Sequence, residues 1–171
     1  MYVHVPLYAP QRFLDQSRNG AYGATVEHTD WSVAVLVQEL QNLGIDEQTL
    51  VIFTSDNGGA PRFGGSNAPL RGQKGETWEG GMRVPCVARW PGTIPAGSEC
   101  SQLATAMDFL PTFAQLADQQ TPDDRIIDGR DISPLLLNPA AAETPHESFF
   151  YYRVNELQAV RMGDWKLHLQ N

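Results

Sequence analysis

The sequence predicts an α/β protein. Three observations carry that expectation: apolar residues at helical spacing between Ala24 and Leu43, a short β-rich run at Leu50–Thr54 directly after them, and an alternating tail from Phe149 to Leu169. Helix followed by strand is half of an α/β repeat, and the alternating tail reads as a small antiparallel sheet beside it. The length of 171 residues suits one domain, or one with a small appendage. A chain of this size buries ~70% of its unfolded surface, enough for a real core.

Taken in order, Pro6 and Pro10 exclude a helix at the start, which reads as a loop or edge segment. Val26, Val33, Leu36, Val37, Leu40 and Leu43 then mark one amphipathic helix, and Gly44 stops it. Leu50–Thr54 is continuously apolar and predicts a strand buried on both faces of a parallel sheet. Residues 57–83 hold eight glycines and little periodicity, so a functional loop is expected. Val84–Trp90 resumes a strand pattern that Pro91-Gly92 ends. Asp108 suits the N-cap of a helix through Ala117, and Ser133-Pro134 starts a short helix through Leu137. Phe149–Val154, Gln158–Met162 and Trp165–Leu169 alternate, with Gly163-Asp164 as a hairpin turn.

Charge narrows the partners. Twelve Lys and Arg against twenty Asp and Glu give a net charge of −8, a field that repels a phosphate backbone, so no nucleic acid is expected. No apolar run reaches the ~18 residues of a membrane span. Arg62, Arg71, Lys74 and Arg83 nevertheless cluster, which suits an anionic small molecule. Cys86 and Cys100 are too few for a disulfide framework or thiolate metal site, and one bridge between them is open. The N-terminus lacks the pattern of a secretory signal. The extended start at Met1 and the alternation reaching Asn171 lead us to expect truncation at both ends.

Asp56-Asn57-Gly58-Gly59 follows the Leu50–Thr54 run directly, where ligands bind in open α/β sheets. Asp56 and Asn57 offer hard oxygen donors suited to Ca²⁺ or Mg²⁺; the plain alternative is an Asn-Gly turn. Lys74 lies in Leu70-Arg-Gly-Gln-Lys-Gly-Glu-Thr-Trp-Glu-Gly-Gly81, where the backbone can approach an anion, but a solvated loop lysine is the simpler local reading. It is not a phosphate-binding P-loop, because Gly72 and Lys74 are not adjacent. His4 has a side chain suited to proton donation, and nothing local decides its role. His28, His146 and His168 show no ligand spacing and read as structural, and the four tryptophans read as core or pocket wall.

Together these segments resemble the sulfatases of the alkaline-phosphatase-like superfamily, in the part of the catalytic domain after the nucleophile region. The resemblance is carried by His4-Val-Pro, Trp31-Ser-Val-Ala-Val-Leu-Val-Gln-Glu-Leu40, Thr49-Leu-Val-Ile-Phe-Thr-Ser-Asp-Asn-Gly58 and Gly72-Gln-Lys-Gly-Glu-Thr-Trp-Glu-Gly-Gly-Met-Arg-Val-Pro85. Arg89-Trp-Pro-Gly92, Asp108-Phe-Leu-Pro-Thr112, Asp128-Gly-Arg-Asp-Ile-Ser-Pro134 and Arg161-Met-Gly-Asp-Trp-Lys166 extend it along nearly the whole chain. It implies a partial mixed sheet with flanking helices over residues 1–145 and the start of a small antiparallel subdomain over 146–171.

The resemblance further implies that Asp56 and Asn57 are Ca²⁺ ligands, that Lys74 binds a sulfate oxygen, and that His4 contacts the ester and donates a proton to the leaving group. The substrate it implies is a sulfate-ester small molecule or sulfated glycan, in a periplasmic, lysosomal or secreted enzyme. The family's nucleophile, a formylglycine made within Cys/Ser-x-Pro/Ala-x-Arg, has no counterpart here, since Cys86-Val-Ala-Arg89 puts Arg one position early. That motif and the first aspartate pair for Ca²⁺ are therefore expected upstream of Met1, and the chain is expected to be inactive alone. A phosphatase, phosphodiesterase or phosphonate hydrolase of the same superfamily, and a non-catalytic binding module derived from it, are the alternatives.

Overall fold

The computed structural model describes residues 3–169. Met1, Tyr2, Gln170 and Asn171, which include both expected truncation points, lie outside the described residues. The chain divides into two compact units, Met1–Val87 and Ala88–Asn171, and the observed elements are the mixed α/β set that the sequence predicts. No helix among the described residues is long and apolar enough to cross a membrane.

In the first unit an extended segment runs to Pro10, which leads into a one-turn helix, α1 (Gln11–Leu14). Proline suits that place because the first helical turn leaves its N–H groups unpaired anyway. Helix α2 spans Gly20–Asn42. It starts four residues before Ala24 because Gly20, Ala21 and Gly23 carry no apolar mark that periodicity could register. Gly44, at φ +68°, turns the chain after the Leu43 cap. Against α2, the Arg12 guanidinium lies 4.4 Å from the Trp31 ring centre, and the Phe13 ring lies 5.1 Å from that of His28. Strand β1 is Val51–Thr54, and with β2, Cys86–Arg89, it forms a two-stranded sheet. The expected burial of β1 on both faces is not met. Val51 and Ile52 are half-buried, and Phe53 is 41% exposed.

In the second unit, α4 (Phe109–Leu116) and α5 (Ser133–Leu137) precede three antiparallel strands, β3 (Phe149–Arg153), β4 (Glu156–Met162) and β5 (Trp165–His168); a further single-turn helix, α3 (Glu79–Met82), belongs to the first unit. Met162 pairs with Trp165 across Gly163-Asp164, the turn expected there. A register shift follows Tyr151, whose partner Ala159 is fully buried. Trp165 is 84% exposed and so is neither core nor pocket wall, since a hairpin end has nothing above it to pack against.

Asp108 corrects the capping expectation. It stands at the start of α4, but its carboxylate makes no cap bond to that helix. Instead, fully buried, it accepts from the backbone N–H of Thr105 at 2.7 Å and of Arg130 at 2.8 Å. His146 Nε2 reaches both of its oxygens at 2.9 Å. Thr112 Oγ1, also buried, accepts the Ile132 N–H at 3.0 Å. Thr105 and two distant segments, at Arg130–Ile132 and at His146, are thus tied to the first half of α4, beside the buried Ile132 and Leu135. Removing a carboxylate from such a hub strands every donor it served. Asp108→Ala is therefore expected to lower the unfolding free energy of this unit by about 3 kcal/mol, read from urea denaturation followed by near-ultraviolet circular dichroism; a loss below about 1 kcal/mol would show the hub to be dispensable.

Candidate functional site

The site is built on the turn after β1. Asp56 is exposed and Asn57 half-buried. Ser55 Oγ donates to the Asn57 carbonyl at 2.9 Å, and Asn57 Nδ2 donates to the Gly58 carbonyl at 3.0 Å. With its nitrogen so engaged, Asn57 leaves its amide oxygen as the free atom. Asp56 makes no side-chain hydrogen bond or ion pair among the described residues. The segment is a turn, with the Asp56 carboxylate and the Asn57 amide oxygen as its oxygen acceptors.

The glycine-rich segment returns to that turn and is fastened to it. Gly58 N–H donates to the Gly81 carbonyl at 2.9 Å, and Lys74 N–H donates to the Gly59 carbonyl at 3.1 Å. Asn67 clamps the two together: its Oδ1 accepts the Gly59 N–H at 2.7 Å, while its Nδ2 donates to the carbonyls of Gly59 at 2.9 Å and Gly72 at 3.1 Å. The approach leaves no room for side chains, since a Cβ on Gly58 would collide with the Gly80 carbonyl and one on Gly80 with the Gly72 carbonyl. Glycine is required there for closeness. A shallow groove of about 300 Å³ opens beside Asn67 and Gly72, with no charged side chain in its lining.

The structure thus joins Asp56, Asn57 and the Lys74 loop. Lys74 itself is exposed and its ammonium has no partner among the described residues. Two other members of the basic cluster are committed to aromatic faces, Arg71 at 3.7 Å from the Trp78 ring centre and Arg62 at 4.5 Å from that of Phe63. His4 is exposed in the leading segment, its Nδ1 is 2.9 Å from the Val5 carbonyl oxygen, and no hydrogen bond among the described residues ties it to the other three. His146 is structural, bound to Asp108.

As a cation site, the donor set fits Ca²⁺ in kind and falls short in number. Ca²⁺ takes six to eight oxygens, and among the described residues no group of three or more His, Cys, Asp or Glu side chains is gathered to hold a metal. Asn67 is the residue that sequence reasoning passed over. Its signal was present: a polar amide inside a glycine run whose backbone groups need partners.

Both cysteines are free. Cys86 lies at the start of β2 and is exposed overall, but partial burial pushes its thiol above the ordinary value of 9.0 and a hydrogen bond with Thr54 partly opposes the shift. The folded chain holds this proton more tightly than the unfolded chain, so stability is lost as pH rises above 9.0.

Comparison with known proteins bears on this geometry. The sulfatase family model matches residues 1–119, and a model described as N-sulphoglucosamine sulphohydrolase, C-terminal, matches 73–167. N-acetylgalactosamine-6-sulfatase of Rattus norvegicus is 46% identical over 98% of this chain and 32% of its own length. Steryl-sulfatase of Mus musculus is 44% identical over 94% and 27%. The crystal structure of Ps i-CgsB with k-i-k-neocarrahexaose matches at TM-score 0.86 and 33% identity, over 98% of this chain and 39% of that one. PsFucS1 sulfatase from Pseudoalteromonas sp. matches at TM-score 0.86 and 32% identity, over 96% and 34%. The chain spans about a third of the length of the curated relatives it matches.

Two outcomes are expected. Asn67→Ala should speed amide hydrogen exchange at Gly59 and Lys74 at least about tenfold while leaving α2 unchanged; equal exchange in both proteins would show that Asn67 does not hold the loop. The pH at which alkylation of Cys86 by iodoacetamide is half-maximal should lie above 9.0, followed by mass spectrometry; a midpoint at or below that pH would contradict the burial effect.

Proposed function

The chain belongs to the sulfatase family, and from that premise we propose that it contributes part of the site of a Ca²⁺-dependent sulfate-ester hydrolase. The fastening of the Asp56-Asn57 turn to the Lys74 loop is the observation that supports this most, because it joins the two features such a site needs. In this reading residues 1–145 belong to the catalytic domain and 146–171 open a smaller subdomain. The substrate is a sulfate-ester small molecule or a sulfated glycan.

Asp56 and the Asn57 amide oxygen would hold Ca²⁺ as two members of its shell, the rest coming from outside these residues. When bound, Ca²⁺ supplies Lewis-acid stabilisation of a sulfate oxygen. The remaining steps belong to side chains. As a nucleophile oxygen bonds to sulfur, the bond from sulfur to the bridging oxygen breaks and negative charge grows on the departing oxygen. Lys74, held by its own backbone N–H and free at its ammonium, offsets charge on the sulfuryl oxygens. His4 donates a proton to the departing alkoxide or phenoxide, which leaves as the alcohol. The nucleophile must come from outside the chain, since no Cys/Ser-x-Pro/Ala-x-Arg motif occurs in it.

Two assays test this reading. The chain alone should show no turnover of an aryl sulfate, and measurable turnover would refute its dependence on an external nucleophile. In the Rattus norvegicus relative carrying residues 3–169 in place of its matched segment, Lys74→Ala should lower kcat/KM by about 10²–10³-fold. An unchanged kcat/KM would remove Lys74 from the mechanism, and turnover of phosphate but not sulfate esters would favour a phosphatase.

A further inference from the structure

The dipeptide Asn-Gly occurs twice, at 19–20 and at 57–58. Chemically the two steps are alike: with no side chain on the following residue, the glycine nitrogen can reach the asparagine Cγ and close a five-membered ring. The fold holds them differently. Asn57 is half-buried and Gly58 is buried. The Gly58 N–H, which carries the attacking atom, donates to the Gly81 carbonyl at 2.9 Å. The Asn57 carbonyl accepts from Ser55 Oγ at 2.9 Å, and Asn57 Nδ2 donates to the Gly58 carbonyl at 3.0 Å. Turning this peptide so that its nitrogen meets Cγ breaks these bonds, inside a crossing too tight to admit even a Cβ on Gly58.

Asn19 and Gly20 are both exposed, between α1 and α2. Gly20 opens α2, so its N–H is one of those that a first helical turn leaves without an intrahelical partner, and it donates to no group among the described residues. The Asn19 side chain makes no cap bond to α2. It is held by a long bond from Nδ2 to the Gly64 carbonyl, at 3.4 Å, and the Asn19 carbonyl accepts the Gly23 N–H at 3.0 Å. At ψ 38° the Gly20 nitrogen must swing round to reach Cγ, and fraying of the first turn is the opening that costs a helix least.

We propose that Asn19 is a site of spontaneous deamidation and that the glycine crossing protects Asn57 from the same reaction. The reaction is independent of the sulfatase reading, and its one co-reactant is water. A base removes the Gly20 N–H proton, the nitrogen forms a bond to Asn19 Cγ, and the Cγ–Nδ2 bond breaks with release of ammonia. Water then opens the ring at either carbonyl, leaving aspartate or isoaspartate at position 19. The product carboxylate cannot donate to the Gly64 carbonyl, so the bond from the start of α2 to the glycine-rich segment is lost.

The test incubates the chain under mildly alkaline conditions and follows both peptides by mass spectrometry, through the mass gained when OH replaces NH₂. In the folded chain Asn19 should convert at least about tenfold faster than Asn57. In urea, where the fold no longer distinguishes them, the ratio should fall below about threefold. The proposal is overturned if Asn57 keeps pace with Asn19 in the folded chain, if the ratio persists in urea, or if Asn19 stays intact in buffer while both convert in urea. These comparisons use the parent chain and stand whether or not a variant folds. Asn67→Ala, which unclamps the crossing, should raise the Asn57 rate at least about threefold and leave the Asn19 rate unchanged; an unaltered Asn57 rate would overturn the protective role of the crossing.

Discussion

The backbone of one turn must touch the backbone of a distant loop, and the first unit's site depends on that contact. Gly58 meets Gly81, and Gly59 meets Lys74, through direct N–H to carbonyl bonds across a gap that admits no Cβ. This constraint explains the glycine at position 58, whose Cβ would strike the Gly80 carbonyl, while Gly80 and Gly81 are pressed by carbonyls within the loop itself. A β-ladder would hold the two stretches equally well but would place side chains between them. The glycine crossing instead brings the Lys74 loop against the Asp56-Asn57 turn at main-chain distance. Asn67 then supplies, from one neutral amide, three of the bonds that a ladder would have provided.

The two units solve the problem of cohesion differently. The second is organised by Asp108, a buried carboxylate with four hydrogen-bond contacts, next to buried Ile132, Leu135 and Tyr151. A buried charge is costly, and here backbone donors and His146 offset that cost. The first unit has the glycine crossing and the α1–α2 aromatic contacts but little buried aliphatic side chain. Its large apolar side chains are half-buried, as at Val33, Val37, Leu40, Val51 and Ile52, or exposed, as at Leu36 and Phe53. Hydrophobic burial scales with area removed from water, so a unit arranged this way has its main stabilising term unspent.

Much of this was legible in the residues. Ser133–Leu137 and the three tail strands follow from proline placement and strict alternation, which are local signals and need no knowledge of the rest of the fold. The glycine run was legible as an irregular loop, and Asp56-Asn57 as a turn, since position after a strand is itself local information. Three things were not. The exposure of β1 depends on which surfaces are covered, and an apolar run reads the same whether its cover is present or absent. Asp108 sits where an N-cap belongs, but its partners Arg130 and His146 lie 22 and 38 residues away, beyond any local pattern. Asn67 bonds to positions eight and five residues off through loop geometry with no period.

A chain of net charge −8 nonetheless presents an exposed lysine in this loop, and the manner of fastening leaves that charge free. Had the Lys74 loop been tied down by an ion pair between Lys74 and Asp56, each charge would have cancelled the other and neither would face a ligand. The bonds that hold the loop are instead backbone pairs and a neutral amide, so position is fixed without consuming charge. Among the described residues Asp56 and Lys74 enter no ion pair, while Arg71 and Arg62 rest on aromatic rings. The overall field sets what the protein repels at a distance, whereas the free carboxylate and free ammonium set what it can grip at contact. At contact distance the local pair dominates, because screening at physiological salt reduces remote surface charges beyond ~8 Å far more than groups touching the ligand. A negative surface and a loop that presents a free ammonium are therefore compatible, provided the loop is held by something other than charge.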